Sequence, residues 1–234
     1  MTDEQKKNLF LQIDGLLEIY KNFMPIDNFN FSIEKLKSTY TEMIQFIIDD
    51  VSERENLLAF LAETDFYKAP ASTRFHGDFE SGLSVHTMQV IYQSLKFAKP
   101  LLSDFFISKR QDDFNVSAKD IFVSALSHDF CKVGFYEVSF RNTKDVFGNW
   151  VKKSFYKTKD DLRNLGHGNE SVLILLKLMP SMIDNRSVLE AVSRHMGFTD
   201  LTDSEKMNYS NFLQNPLVLL LQLADQSASS WYDY

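Results

Sequence analysis

The chain of 234 residues has five histidines, and two of them stand where they could do chemistry with a neighbouring acid. His128 is followed directly by Asp129 at the end of the apolar stretch Ile121 to Leu126. Asp225 closes the run Pro216 to Ala224, which is apolar almost all round. A helix of that kind is normally buried, and burying an unpaired carboxylate is costly. Asp225 therefore calls for a cation or a hydrogen-bonding partner. His86 has Leu83, Val90 and Ile91 at helical steps, and His195 closes a segment carrying Val188, Leu189, Ala191 and Val192. Several helices would then aim imidazoles and carboxylates at one interior point, a donor set that suits Zn²⁺, Mn²⁺, Fe²⁺ or Ni²⁺ better than Ca²⁺. The spacing leaves a plainer reading open. A histidine at the end of an apolar helix is more often a satisfied core residue than a ligand, and Asp225 could cap a neighbouring helix or meet a buried arginine. His76 and His167, each beside a glycine, could be ordinary loop residues. The His-Asp dipeptide alone decides nothing.

The elements that must position these residues are helical. Residues 1–24 read as an amphipathic helix, with Leu9, Ile13, Leu16 and Tyr20 at three- and four-residue steps. A break is expected between Phe23 and Phe31, around Pro25, Asp27 and Asn28. Ser32 opens a second helix to about Asp50, and Ser52 is the expected cap of a third, running through Leu61. Lys68 to Gly82 reads as a structured loop. A long helix follows from Leu83 to about Ala98, ended by Pro100. Ser117 can cap a helix from Ala118 to about Asp129. Tyr136 to Arg141 and Trp150 to Tyr156 alternate as a β-hairpin would. Helices are expected at about 169–179, 187–195 and 216–230, the last with Asn215 at its N-cap and Pro216 in its first turn. The expectation is an all-α bundle of at least six helices, with one short hairpin at most and with Asp225 buried.

Composition sets the limits. Hydrophobic residues make up 44% of the chain and 21 are phenylalanine, enough for a sizeable core. The single cysteine, Cys131, excludes an internal disulfide. No stretch of 18 apolar residues occurs, and the polar opening lacks a secretory pattern. A cytoplasmic protein without membrane association is expected. The net charge of −7 argues against a broad duplex-binding surface. Residues 141–159 depart from it, with six cations against Asp145 alone. That segment reads either as a cationic rim or lid for an anionic substrate or as a solvated surface hairpin.

The order His86, His128-Asp129, Asp225 resembles the H…HD…D signature of the HD superfamily of metal-dependent phosphohydrolases. The flanks carry the resemblance further. Phe66 to His76, followed by Ser81-Gly-Leu-Ser-Val-His86-Thr87, resembles the segment before the first ligand in bacterial and phage HD hydrolases and in the related HD-type 3′–5′ exoribonucleases. Ser124 to Lys132 is similar to their "ALLHDxxK" segment, Leu165 to Val172 to "GHGEKSV", and Arg194 to Phe198 to "WHMGxF". Asn215 to Asp225 is similar to the closing Asp helix. The resemblance covers about residues 60–230 and implies an HD domain over 56–234, with 1–55 as an N-terminal helical extension. Three positions depart from the pattern: Ser81 for a glycine, Val85 for a frequent acidic residue, and Arg194 for an aromatic or His. Val85 puts one acid/base or supporting role in doubt and leaves the cage untouched.

The resemblance implies an all-α HD-domain helical bundle with a small β-hairpin insertion. It implies His86, His128, Asp129 and Asp225 as ligands of one divalent cation. His167 and His195 match the additional histidines of two-metal members, with Asp129 bridging, so two ions drawn from Mn, Fe, Ni, Co, Zn or Mg are expected. Asp129 and Lys132 are the expected catalytic residues, with Lys132, Arg74 and His76 contacting substrate. The implied activity is hydrolysis of a nucleotide-type phosphate ester, whether a nucleotide, a cyclic or short oligonucleotide, or an RNA 3′ end, by a metal-activated water. Two other functions stand beside it: a di-iron oxygenase, distinguished by iron content and oxygen consumption, and a non-catalytic nucleotide-binding module. The complete ligand set weighs against the last.

Overall fold

The computed structural model describes residues 1–27, 30–159, 165–199 and 201–232. It is 61% helical. In chain order the elements are α1 (Asp3–Phe23), β1 (Ile26–Asp27), β2 (Asn30–Phe31), α2 (Ile33–Ile47), α3 (Val51–Glu63), α4 (Gly82–Phe105), α5 (Ala118–Ser127), β3 (Tyr136–Lys144), β4 (Trp150–Thr158), α6 (His167–Leu178), α7 (Arg186–Arg194), α8 (Asp203–Met207), α9 (Tyr209–Phe212) and α10 (Pro216–Trp231). Short 3₁₀ turns at Phe130–Lys132 and Pro180–Asp184 complete the set. β1 pairs with β2 and β3 with β4, both antiparallel. Asn28, part of the expected break after α1, lies outside the described residues.

Local chemistry explains most of the boundaries. Thr2 with Gln5, and Ser117 with Asp120, close reciprocal capping boxes at α1 and α5. Asn215 accepts the Leu217 N–H at the start of α10, with Pro216 in the first turn. Four expectations need correction. The cap of α3 is Asp50, whose Oδ1 accepts the Glu53 N–H at 2.9 Å, and not Ser52. α4 runs through Pro100 to Phe105. Pro100 and Lys96 are both exposed, so the carbonyl that proline leaves without a donor lies on the solvent face, where water can serve it. On the other face Leu95, Ala98 and Leu102 are buried and hold the helix in register. Among the described residues there are two hairpins where one at most was expected, the extra one being the two-residue pairing of β1 with β2. Asp225 is not fully buried: its side chain is 16% exposed, at the mouth of the site described below.

One hydrophobic core runs from Leu9 in α1 to Ala228 in α10. α4 is its axis, buried along most of its length and packed against α10, α5, α1 and α2. The first 55 residues share this core. Tyr20 stacks on Tyr92 with centroids 4.2 Å apart, and the Tyr40 hydroxyl donates to the Ser84 carbonyl at 2.6 Å. No helix among the described residues is long and apolar enough to cross a membrane.

The start of α4 is set by the loop before it. Ala71 N–H donates to the Gly77 carbonyl at 2.8 Å and Leu83 N–H to the Ala69 carbonyl at 2.9 Å, folding the loop onto the helix. A Cβ on Gly82 would lie 2.0 Å from the Gly77 carbonyl oxygen, so only glycine fits without moving backbone. Gly82→Ala should therefore lower stability by roughly 2–4 kcal/mol. For a chain of this size that is a fall of roughly 5–15 °C in Tm, read by thermal unfolding. An unchanged Tm would show that the loop is not held in this way.

Candidate metal centre

Four helices deliver the site. α4 contributes His86, α7 ends at His195, and α10 carries Asp225. α5 ends at His128, and the chain turns there so that Asp129 and Lys132 face the same interior. The two terminal histidines are oriented in the same way. His128 Nδ1 lies 2.7 Å from the Ala125 carbonyl and His195 Nδ1 lies 2.7 Å from the Val192 carbonyl. A carbonyl only accepts, so each Nδ1 carries the proton and each Nε2 presents a lone pair to the interior. This is the tautomer a metal ligand needs.

The Nε2 atoms of His86 and His128 are 3.3 Å apart. Asp225 Oδ1 is 3.1 Å from His86 Nε2, and the ligand atoms of His86, His128 and Asp225 all lie within 4.8 Å of one another. Asp129 Oδ2 stands 3.6 Å from His86 Nε2 and 3.3 Å from His128 Nε2. The same oxygen receives the Lys132 ammonium at 2.6 Å. On the other side of the carboxylate, Asp129 Oδ1 is 3.7 Å from His195 Nε2. Both of these atoms are buried and neither has a hydrogen-bond partner. The two atoms face one another without a hydrogen bond, and either a proton on His195 Nε2 or a metal ion between them would serve both. His86, His128 and Asp225 thus form a cluster that could hold a metal ion.

The protonation states of Asp129, Asp225 and His86 agree with that fit, whereas His195 would give up a proton to ligate. Burial would raise the Asp129 carboxyl, but the Lys132 and His128 charges outweigh it and hold the group well below the usual carboxylate range. Burial likewise opposes ionisation of Asp225, and hydrogen bonding to His86 overturns this. Burial lowers His86, with Asp225 only partly compensating. At His195 the order is reversed: burial opposes protonation, yet the Asp129 carboxylate raises the group overall. Lys132 is driven upward by Asp129 against the cost of its burial. Anionic carboxylates beside a neutral His86 are the forms that ligate metal.

The remaining expected residues fall around this cage. The His76 ring is half-buried, with its centroid 4.7 Å from that of His86. Arg74 is exposed on the same loop. His167 opens α6 outside the closest ligand set, with Nδ1 3.6 Å from Cys131 Sγ in a small recess shared with Phe135 and Glu170. Two neighbours were not anticipated. Gln89 follows His86 by three residues on the buried face of α4, and its Oε1 has no partner. Tyr136 is half-buried near Lys132, and burial pushes its phenol up to about 12. The i, i+3 spacing from His86 could have pointed to Gln89, whereas Tyr136 alternates like any strand residue.

His76 supplies a pH test on metal-stripped protein. Burial first, and then the charges of His86 and Lys132, bring its imidazole down to about 4. The unfolded chain therefore binds a proton below about pH 6.5 that the folded chain refuses, and stability falls as pH drops from there toward 4. The contribution is about 1–2 kcal/mol once partial exposure is discounted. His76→Asn should flatten the stability–pH curve in that window alone, as read by denaturant unfolding. An identical slope in both proteins would contradict the buried, neutral His76.

Comparison of the chain with protein-family models, with curated proteins and with solved structures found no match.

Proposed function

We propose that this chain is a metal-dependent phosphohydrolase of the HD superfamily, acting on a nucleotide-type phosphate ester. One observation carries the reading: His86, His128, Asp129, His195 and Asp225 converge from four helices, with Asp129 Oδ1 and His195 Nε2 buried and unserved. His86, His128, Asp129 and Asp225 would hold a first divalent cation. Asp129 would bridge to a second, with His195 and His167 as its imidazoles. Such cations supply positive charge at the phosphoryl oxygens and lower the pKa of water. Lys132 adds an ammonium beside Asp129 that can meet a substrate phosphate where negative charge grows. His76 forms the adjoining wall, and Arg74 on the same loop offers a further cation to an anionic substrate. The carboxylates, engaged with cations, are not free to serve as the main base.

The test is a screen of stripped protein with Mn²⁺, Mg²⁺, Co²⁺ or Ni²⁺ against nucleoside phosphates, cyclic nucleotides and short RNAs. Phosphate ester hydrolysis that appears with metal and disappears with chelator is the expected result. No turnover with any pairing, or oxygen consumption by an iron-loaded sample, would overturn the assignment.

A further inference from the structure

The β3–β4 hairpin leaves the body four residues after Lys132 and is exposed on both faces for most of its length. Its root is tied beside the cage. Tyr136 hydroxyl donates to the Ala71 carbonyl at 3.4 Å, and Lys159 Nζ to the Gly134 carbonyl at 2.7 Å. Its side chains are unusual for a solvated ribbon. Phe140 is 56% exposed and Trp150 71%, and exposed rings grouped in this way mark interaction surfaces.

The register sorts rings and cations together. Phe140, Lys144, Trp150 and Lys152 share one face, and Arg141, Lys153 and Phe155 the other. Lys152 Nζ lies 4.6 Å from the Phe140 ring centroid, Lys144 Nζ 5.3 Å from Trp150, and the Arg141 guanidinium 5.3 Å from Phe155. Arg141 also stands directly opposite Lys153. Like charges on one rung destabilise a hairpin, and an anion across them would remove the penalty. The only acid from 138 to 156 is Asp145, which accepts the Phe147 and Asn149 N–H groups in the turn. Positive charge is thus gathered on one arm of a chain whose net charge is −7.

We propose that the β3–β4 hairpin is a docking arm for single-stranded nucleic acid, which it leads to the His/Asp cage; the second half of this statement rests on the phosphohydrolase reading, the first does not. Same-face side chains recur about every 6.8 Å along a strand, so rings and cations alternate at steps a flexible single strand can follow. Cations meet its phosphates and exposed rings stack its bases, a pairing that tolerates any sequence. A duplex keeps its bases stacked on each other and cannot use the rings. An anionic membrane would take the exposed Val146 and Phe147 at the tip but gives no role to Phe140 and Phe155, which lie on opposite faces well away from the turn, whereas a single strand running along the arm uses rings on its flanks.

Fluorescence anisotropy of short labelled RNA and DNA single strands, with stripped protein in chelator, tests binding without hydrolysis. Affinity should fall with salt on a log–log slope of about −2 to −3, as expected for three or four neutralised phosphates. The double variant Phe140→Ala, Trp150→Ala should bind about 10–100-fold more weakly, with unchanged thermal unfolding. The triple variant Lys144→Gln, Lys152→Gln, Lys153→Gln should bind more weakly and with a flatter salt slope. Equal affinity for duplex, tighter association with phosphatidylserine vesicles, no binding of either strand, or unaltered affinity in both variants would each overturn the arm. Metal-loaded turnover of a small aryl phosphodiester separates the two readings. Parent and arm variants should hydrolyse it equally. Its failure in the parent, together with no turnover in the nucleoside phosphate, cyclic nucleotide and short RNA screen, would defeat the phosphohydrolase assignment while the binding result stands.

Discussion

Replacing Asp129 by alanine should abolish metal-dependent hydrolysis and strip the protein of most of its bound metal. Asp129 stands between the His86–His128 pair on one side and His195 on the other, so its loss removes a donor from both halves of the cage. The rate should fall by roughly 10³-fold or more, beyond the 10–100-fold typical of a group that only supports a ligand. The single variant has a second consequence. Lys132 is buried with its ammonium 2.6 Å from Asp129, and removing one member of a buried pair leaves an uncompensated charge, at a cost of about 3–5 kcal/mol. Loss of activity could then be mistaken for loss of fold. Asp129→Ala combined with Lys132→Met separates the two: unfolding stability should recover toward that of the parent while metal content and turnover stay low. Denaturant unfolding, metal analysis and turnover on the same three samples give the answer. Full metal occupancy with parent-like turnover in the single variant would refute Asp129 as a ligand.

The second large effect concerns stoichiometry. Under the two-ion arrangement the parent retains about two Mn²⁺ per chain after saturation and desalting, and His195→Ala retains about one. The argument lies in the geometry around Asp129. Its Oδ2 is occupied by Lys132 and the first imidazoles, whereas its Oδ1 and His195 Nε2 face one another across 3.7 Å without a hydrogen bond, room for an ion between them. His167 stands beside Cys131 and outside the closest set, so its share in holding a second ion would be the smaller one. His167→Ala should therefore reduce the second equivalent less completely than His195→Ala. If both histidines only touch substrate, metal content is unchanged and affinity or turnover alone falls. A parent that never exceeds one equivalent contradicts the second ion and leaves the first intact.

Much of the scaffold was legible because its signals are local. Ser32, Ser117 and Asn215 each accept a backbone N–H two or three residues ahead and so mark where helices begin. The apolar run before Asp225 announced a packed helix with a carboxylate in need of a partner, and that helix lies against α4 beside His86. What escaped depends on tertiary surroundings. Pro100 ends a helix by every local rule, yet the packed face of Leu95, Ala98 and Leu102 carries α4 past it. Asp50 and Ser52 are both good caps, and only the observed backbone chooses between them. α8 and α9 are a turn or so long and too short to show a period. In the site, the order of His86, His128, Asp129 and Asp225 was readable and the Lys132–Asp129 pair is local, three residues apart, but the Oδ1–Nε2 gap exists only once the ends of α5 and α7 meet.

The central claim is that a divalent cation sits among His86, His128, Asp129 and Asp225. Anomalous scattering from crystals of the protein loaded with Zn²⁺ tests it most directly. The account predicts a peak bonded to the Nε2 atoms of His86 and His128 and to oxygens of both aspartates, at about 2.0–2.2 Å. A peak ligated elsewhere, or no peak in a crystal whose four side chains are ordered, would contradict it.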